Sequence, residues 1–170
     1  SGLSAIKLLI QQGADLSVVN QGDPKTWDNL EQILNFVDIK HCYNQTEAKE
    51  IFSLSDLIIL SPGISRSHDS LKKAIDRNVP IWSEIELGFH FKKAPIIAIT
   101  GTNGKTTTVS ILEDILKRDG KKVFVGGNIG TPFCDYALEN KNYDLILLEI
   151  SSFQLESISS FHPNIAAILN

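Results

Sequence analysis

Hydrophobic and polar positions along the chain follow two spacings, one typical of buried strands and one typical of amphipathic helices. Short apolar runs bounded by turn residues predict strands, and apolar residues three or four apart predict helices. The predicted strands are 16–20, 56–63, 79–83, 94–100, 121–127, 143–150 and 163–170. The predicted helices are 3–12, 67–78, 84–91, 106–120 and 133–138. Residues 33–40 fit either a short helix or a strand.

Strands that alternate with helices predict an α/β fold with parallel sheets covered on both faces. A charged pair followed by proline, at residues 92–95, predicts a domain boundary. We therefore expect two domains, 1–93 and 94–170. The chain opens on a helix with no strand before it and closes on a strand. We expect it to be a segment of a longer protein.

Composition removes several classes of function. The formal net charge is −4 and there is no basic block, so nucleic acid is not an expected partner. No apolar run approaches the roughly 20 residues that cross a bilayer, so we expect neither a signal peptide nor a membrane partner. Cys42 and Cys134 lack metal-type spacing, which indicates two reduced thiols and a cytoplasmic location.

The strongest candidate for chemistry is ITGTNGKTT, residues 99–107. A strand leads into a glycine-rich bend and a helix follows, which points backbone N–H groups and a positive dipole end at one spot. Lys105 would reach the β- and γ-phosphates and a threonine hydroxyl would meet Mg²⁺. The usual loop has a glycine where Ile99 stands. The alternative is a glycine turn with a solvated Lys105, but the strand–loop–helix context favours a phosphate loop.

Three motifs resemble one family of ligases. TGTNGKTT resembles the ATP loop of the Mur ligases and their folylpolyglutamate synthetase relatives, in which the shortened glycine spacing is normal. LEISSFQLE, within residues 148–156, closely resembles the signature of the MurD family, and GGNIGTP, residues 126–132, resembles its glycine loop. Glu149 follows a buried strand, where carboxylates of such sheets can meet Mg²⁺.

The first half resembles the same family more weakly. SGLSAIKLLIQQG is similar to the end of the family's glycine turn and its helix, and SPGI and SEIEL are similar to two further motifs. Where the family commonly has an acidic residue that contacts uracil, this chain has Asn20 followed by Gln21. The resemblance implies a Rossmann-like N-terminal domain, without its first strand, that binds the UDP part of a substrate. A truncated P-loop ATPase-type parallel-sheet domain follows it.

The resemblance implies ATP-dependent addition of D-glutamate to UDP-N-acetylmuramoyl-L-alanine through an acyl phosphate, in peptidoglycan synthesis, by a monomer that uses ATP and Mg²⁺. It implies catalytic roles for Lys105, Asn128 and Glu149, with Thr106 and Glu149 as metal ligands. The ATP-binding residues would be Gly101, Thr102, Asn103, Gly104, Lys105, Thr106 and Thr107. The substrate-binding residues would be Ser1, Gly2, Asn20, Gln21, Gly63, Asn128, Ser151 and Gln154.

Other functions remain open from the residues themselves. Another Mur-type amino-acid ligase would share the phosphate loop, and so would a non-catalytic nucleotide-binding regulatory module. A Rossmann-type dehydrogenase is disfavoured because no G-x-G-x-x-G is visible. The family's later lysine and histidine would lie beyond residue 170, so we expect this chain alone not to catalyse ligation. His162 is predicted to be a surface residue.

Overall fold

The first half of the chain alternates short helices with three-residue strands. The computed structural model describes residues 1–139 and 141–170. The elements of this half are α1 Gly2–Gln11, β1 Val18–Asn20, α2 Leu30–Leu34, β2 Cys42–Asn44, α3 Ala48–Leu54, β3 Ile58–Leu60, α4 Lys72–Asp76, β4 Ile81–Ser83 and α5 Glu84–Phe89. Single 3₁₀ turns lie at Pro24–Thr26, Ile39–His41 and Asp69–Leu71.

The second half has longer strands. Its elements are β5 Ile96–Gly101, α6 Lys105–Arg118, β6 Val123–Gly127, α7 Phe133–Leu138, β7 Leu145–Glu149, α8 Ser152–Leu155 and β8 Ile165–Leu169. All four strands are parallel, in the spatial order β6-β7-β5-β8. The central strands β5 and β7 carry apolar residues that a sheet covered on both faces requires. The predicted α/β fold with parallel sheets is confirmed.

The register of the four-stranded sheet brings the functional candidates to one edge. Glu149, the last residue of β7, lies opposite Ile99 of β5 and opposite Gly127 of β6. Parallel strands end at the same edge of a sheet, and ligands of open α/β sheets bind beyond that edge. The loop after β5, the residues after β6 and the end of β7 therefore meet in space.

The first half contains two separate pairs of parallel strands. β1 pairs with β2, and β3 pairs with β4, but within the described ranges no ladder joins β1 to β3. A cavity of about 560 Å³ lies between β1 and β3, and residues of these two strands and of α1 line it. This is the arrangement of a doubly wound sheet that lacks a strand between β1 and β3, in agreement with the predicted absence of the first strand.

Helix α5 joins the two halves. Ile85 and Phe89 lie in the core of the second half with Ile96 and Phe133, whereas Leu87 packs with side chains of α1 and α7. The helix follows β4 directly and begins with a serine cap, in which Ser83 Oγ accepts the N–H of Glu86 at 3.2 Å. It is a short helix whose six residues are all buried, including two acids.

Several sequence predictions need correction at the level of single elements. The helix predicted over 67–78 is a 3₁₀ turn followed by α4, which ends because Asn78 takes a left-handed conformation with φ of 58°. For residues 33–40, where the sequence left a helix and a strand open, the structure has the end of α2 and the start of a 3₁₀ turn. β2 and α3 were not predicted, since both are short and carry polar residues.

Predictions for three single side chains agree with the structure. Cys42 and Cys134 are both free and buried, and His162 is exposed. Over residues 1–139 and 141–170, no helix has the length and apolar character needed to span a membrane.

Candidate nucleotide and metal site

The loop between β5 and α6 leaves the first turn of α6 open to an anion. Gly104 precedes the helix in a left-handed conformation, with φ of 78°, and provides no side-chain cap. The first turn of α6 contains no acidic residue. The first N–H groups of a helix have no partner within the helix, so an anion at this point would meet N–H donors and the positive end of the helix dipole.

The same loop is fastened to the end of β8. A Cβ atom on Gly101 would lie 2.2 Å from the carbonyl oxygen of Leu169, so the two backbones approach more closely than any side chain permits. The N–H of Asn103 donates to the carbonyl oxygen of Asn170 at 2.9 Å. These contacts fix the bend of the loop relative to the sheet.

The ammonium group of Lys105 contacts the backbone of the loop. Its Nζ donates to the carbonyl oxygen of Gly101 at 2.5 Å and to that of Thr102 at 3.2 Å. Since Lys105 is also the first residue of α6, the ammonium group and the helix N-terminus lie on the same short segment. Positive charge from both sources is concentrated where the sequence predicts phosphates.

Glu149 is the buried acid of the site. Its side chain is 2% exposed. Thr106 Oγ1 donates to Oε2 at 2.8 Å, and Asn128 Nδ2 donates to Oε1 at 3.0 Å. The backbone N–H of Asn128 also donates to the carbonyl oxygen of Glu149 at 2.7 Å. The structure therefore brings three predicted site residues from different elements together, and a carboxylate beside a hydroxyl is an oxygen donor set that suits Mg²⁺.

Ser151 and Gln154 form a capping box at the start of α8. Gln154 Oε1 accepts the N–H of Ser151 at 3.0 Å and its hydroxyl at 3.2 Å, while Ser151 Oγ accepts the N–H of Gln154 at 3.4 Å. The side chain of Gln154 is buried. These two residues lie within five positions of Glu149, and in this structure their side chains bond to each other.

Four of the predicted substrate-binding residues line a second candidate site, a cavity in the first half of the chain. Ser1, Gly2, Asn20 and Gln21 line a cavity of about 480 Å³ that also reaches the residues after β3. Asn20 Oδ1 accepts the N–H of Gln21 at 2.8 Å. Gly63 is exposed, with φ of 92°, and does not line this cavity.

Two buried acids on α5 have no role in the sequence analysis. Glu84 is 2% exposed; its Oε1 accepts the N–H of Cys134 at 2.6 Å, and its Oε2 has no hydrogen-bond partner among the described residues. Burial raises the pKa of Glu84, and the N–H of Cys134 only partly offsets this effect. The sequence signal that could have found them is the pair of acids within EIELGF, because a helix that is buried on all sides cannot keep both carboxylates in water.

Glu86 differs from Glu84 in its hydrogen bonds. Burial by itself would raise the pKa of Glu86, but N–H donors from Ser159, Ser160 and Phe161, together with His90, outweigh it and hold the pKa below its usual range. Glu86 is thus a buried charge that backbone donors stabilise.

The fold and the candidate site define a class: a parallel-sheet α/β protein with a glycine-rich loop between a strand and a helix, beside a buried acid. Comparison with known proteins agrees. Residues 99–170 match the model of the Mur ligase middle domain, and residues 1–83 match that of the MurD-like N-terminal domain of Mur ligases. The chain belongs to the Mur ligase family.

Relatives over the whole chain are UDP-N-acetylmuramoylalanine--D-glutamate ligases. The protein of that name from Trichlorobacter lovleyi is 38% identical over 170 residues, which are 100% of this chain and 38% of that protein. The one from Caldanaerobacter subterraneus subsp. tengcongensis is 42% identical over 173 residues, again with 100% of this chain and 38% of that protein. The chain thus spans well under half the length of these relatives.

A solved structure shares the fold. It is the crystal structure of UDP-N-acetylmuramate:L-alanyl-gamma-D-glutamyl-meso-diaminopimelate ligase from Neisseria meningitides. The match has a TM-score of 0.50 and 18% sequence identity, and it covers 98% of this chain and 55% of that protein. At this identity the likeness concerns the fold.

Proposed function

We propose that this chain carries the ATP site and the UDP-substrate site of a ligase that adds D-glutamate to UDP-N-acetylmuramoyl-L-alanine in the cytoplasm. Residues 1–93 would bind the UDP part of the substrate, and residues 94–170 would bind ATP. The observation that carries the proposal is the convergence of Thr106, Asn128 and Glu149 beside an uncapped helix N-terminus. The names of the relatives support the choice of amino acid.

The proposed roles follow from charge and position. The N–H groups from Gly101 to Thr107 and the ammonium of Lys105 would bind the phosphates, which lowers the repulsion between them and an approaching substrate carboxylate. Thr106 and Glu149 would hold Mg²⁺, which supplies Lewis-acid polarisation of a phosphoryl oxygen when bound. The γ-phosphoryl group would pass to the alanine carboxylate, and the amine of D-glutamate would then displace phosphate to form the amide.

The substrate side of the proposal rests on the other predicted residues. Ser1, Gly2, Asn20, Gln21 and Gly63 would contact the UDP part, and the cavity beside β1 supports this for the first four. Asn128, Ser151 and Gln154 would meet the alanine end; their place next to Glu149 supports it. For the capping pair to contact substrate, its mutual hydrogen bonds would have to open or be shared. We expect a monomer.

The test is phosphate release by the full-length protein that carries this sequence. ATP, Mg²⁺ and UDP-N-acetylmuramoyl-L-alanine are supplied, and D-glutamate, L-alanine or L-lysine is added in turn. We expect phosphate release only when D-glutamate is the amino acid added, and we expect this release to be lost in Lys105→Ala. Lys117→Ala is the matched control, because Lys117 lies on the same helix but pairs with Glu113 far from the loop.

Two other outcomes would change the proposal. Release with a different amino acid would retain the activation of a carboxylate by ATP but assign another Mur-type ligase. No release with any amino acid, in a protein that still binds ATP, would favour a nucleotide-binding regulatory module.

A further inference from the structure

Glu86 is a buried anchor between the two halves of the chain. Its side chain is fully buried on α5. Oε2 accepts the N–H groups of Ser159 at 2.8 Å and Phe161 at 2.9 Å, and Oε1 accepts that of Ser160 at 2.8 Å and lies 3.2 Å from His90 Nε2. Three successive backbone donors thus converge on one carboxylate.

The donors to Glu86 belong to residues 156–164, between α8 and β8, which we call the α8–β8 loop. Further contacts fasten this loop to β4 and α5. The N–H of Ser83 donates to the carbonyl oxygen of Ser157 at 2.8 Å. The ring of Phe161 packs edge-on against that of Phe89, with centroids 5.4 Å apart. The loop is therefore tied to the end of β4 and to α5 at residues 157 and 159–161.

The α8–β8 loop is continuous with the candidate metal site. It follows α8 directly, and two residues separate Glu149 from the start of α8. The N–H of Ile150 donates to the carbonyl oxygen of Ile99 at 2.9 Å, which fixes one end of this segment to the sheet. Beyond its other end, the chain is held at residues 159–161 by the bonds to Glu86. The segment Glu149–Gln154 therefore lies between two fixed points, one on β5 and one on α5.

We infer that Glu86 is a positioning residue: by fixing the α8–β8 loop, it sets the position of the Glu149–Gln154 segment. The inference deepens the proposed function and rests on it for the chemical role of that segment. Replacement by glutamine leaves one oxygen for the donors and turns an NH₂ group toward at least one of the loop N–H groups, so the loop must move or lose hydrogen bonds.

A purely structural role makes a different prediction from a positioning role. If Glu86 only stabilises the fold, its loss lowers global stability and speeds exchange of all protected amides together. If it positions the segment, amides of the α8–β8 loop and of residues 150–154 become less protected while β5 and α6 keep their protection.

The first experiment measures hydrogen exchange of the 170-residue chain by mass spectrometry. In Glu86→Gln, we expect residues 150–154 and 157–161 to exchange about 10- to 100-fold faster, as the loss of a charged hydrogen bond implies. Residues 97–101 and 106–112 should be unchanged. The matched control is Glu84→Gln, the same substitution two positions away on α5, at a side chain that bonds to Cys134 instead; it should leave 150–161 unchanged.

The second experiment measures steady-state kinetics in the full-length protein. Glu86→Gln should lower kcat about tenfold and leave the KM for ATP within about twofold, because the phosphate loop has no bond to Glu86. Glu84→Gln should retain the wild-type kcat. If the wild-type protein is inactive, the proposed function fails, and the exchange result alone then decides the positioning role.

Two results would overturn the inference. One is faster exchange confined to residues 157–161, with 150–154 unchanged. The other is an active wild type whose kcat is unaffected by Glu86→Gln. If Glu86→Gln fails to fold, His90→Phe replaces it, because this variant keeps a ring over Trp82 and removes one partner of Oε1. It should speed exchange in both segments about threefold, and no change in 150–154 would again overturn the inference.

Discussion

Gly101 supplies the sharpest test of how the proposed phosphate loop is built. Its φ of 139° is a conformation that L side chains rarely adopt, and its missing Cβ would lie 2.2 Å from the carbonyl oxygen of Leu169. Gly101→Ala therefore introduces both backbone strain and overlap with β8. The strain costs about 1–3 kcal/mol. The overlap costs about 1–3 kcal/mol if the backbones must separate, so the free energy of unfolding should fall by about 2–6 kcal/mol.

Gly104→Ala is the matched control in the same loop. Gly104 also has a positive φ, of 78°, but the nearest atom to its Cβ position is Leu169 Cδ1 at 3.6 Å, an ordinary contact. Only the left-handed conformation then costs free energy, about 1–2 kcal/mol. Urea unfolding of both variants, followed by circular dichroism, gives the two differences. If Gly101→Ala costs no more than Gly104→Ala, the close approach of the loop to β8 does not exist in solution.

Three further predictions concern the buried acids and the chain as a whole. Glu84→Gln should gain stability relative to wild type as pH rises above about 4.5, because a folded-state pKa raised above that value makes wild-type stability fall with pH. The free energy of unfolding of both proteins is measured at pH 4 and at pH 7, and the same difference between variant and wild type at both pH values would contradict this. Glu149→Gln should raise the Mg²⁺ concentration needed for ATP binding about tenfold or more, and an unchanged Mg²⁺ titration would remove Glu149 from the metal site. The 170-residue chain should release no phosphate in the amino-acid assay, and ligation by it would refute the expectation that residues beyond 170 are required.

The sequence predicted the central part of the site because each signal there is local. ITGTNGKTT contains its own strand end, bend and helix start, and Glu149 ends an apolar run. Parallel strands end at one edge, so the rule that ligands bind there indicated Glu149 as a partner of the loop that contains Thr106, whereas Asn128 was indicated by the resemblance of GGNIGTP to the family's loop. The structure adds the bonds between them, which join residues 21 and 43 positions apart.

The sequence did not predict Glu86 as an anchor, for a physical reason. Its donors lie 73 to 75 positions away, and they are backbone N–H groups, which leave no trace in residue identity. β2 was missed because a three-residue strand such as Cys42–Asn44 carries too few positions for a periodicity. Pairing with β1 gives that strand its structure.

The most direct test of the account is binding of ATP to the 170-residue chain, measured by calorimetry with and without Mg²⁺. The account predicts saturable binding that Mg²⁺ strengthens, and a loss of about 10- to 100-fold in affinity in Lys105→Ala, as expected for removal of a charge-assisted contact. Lys117→Ala should bind as the wild type does. Equal affinity of Lys105→Ala and wild type, or no binding by a folded chain, would contradict the assignment of residues 101–107 as a phosphate loop.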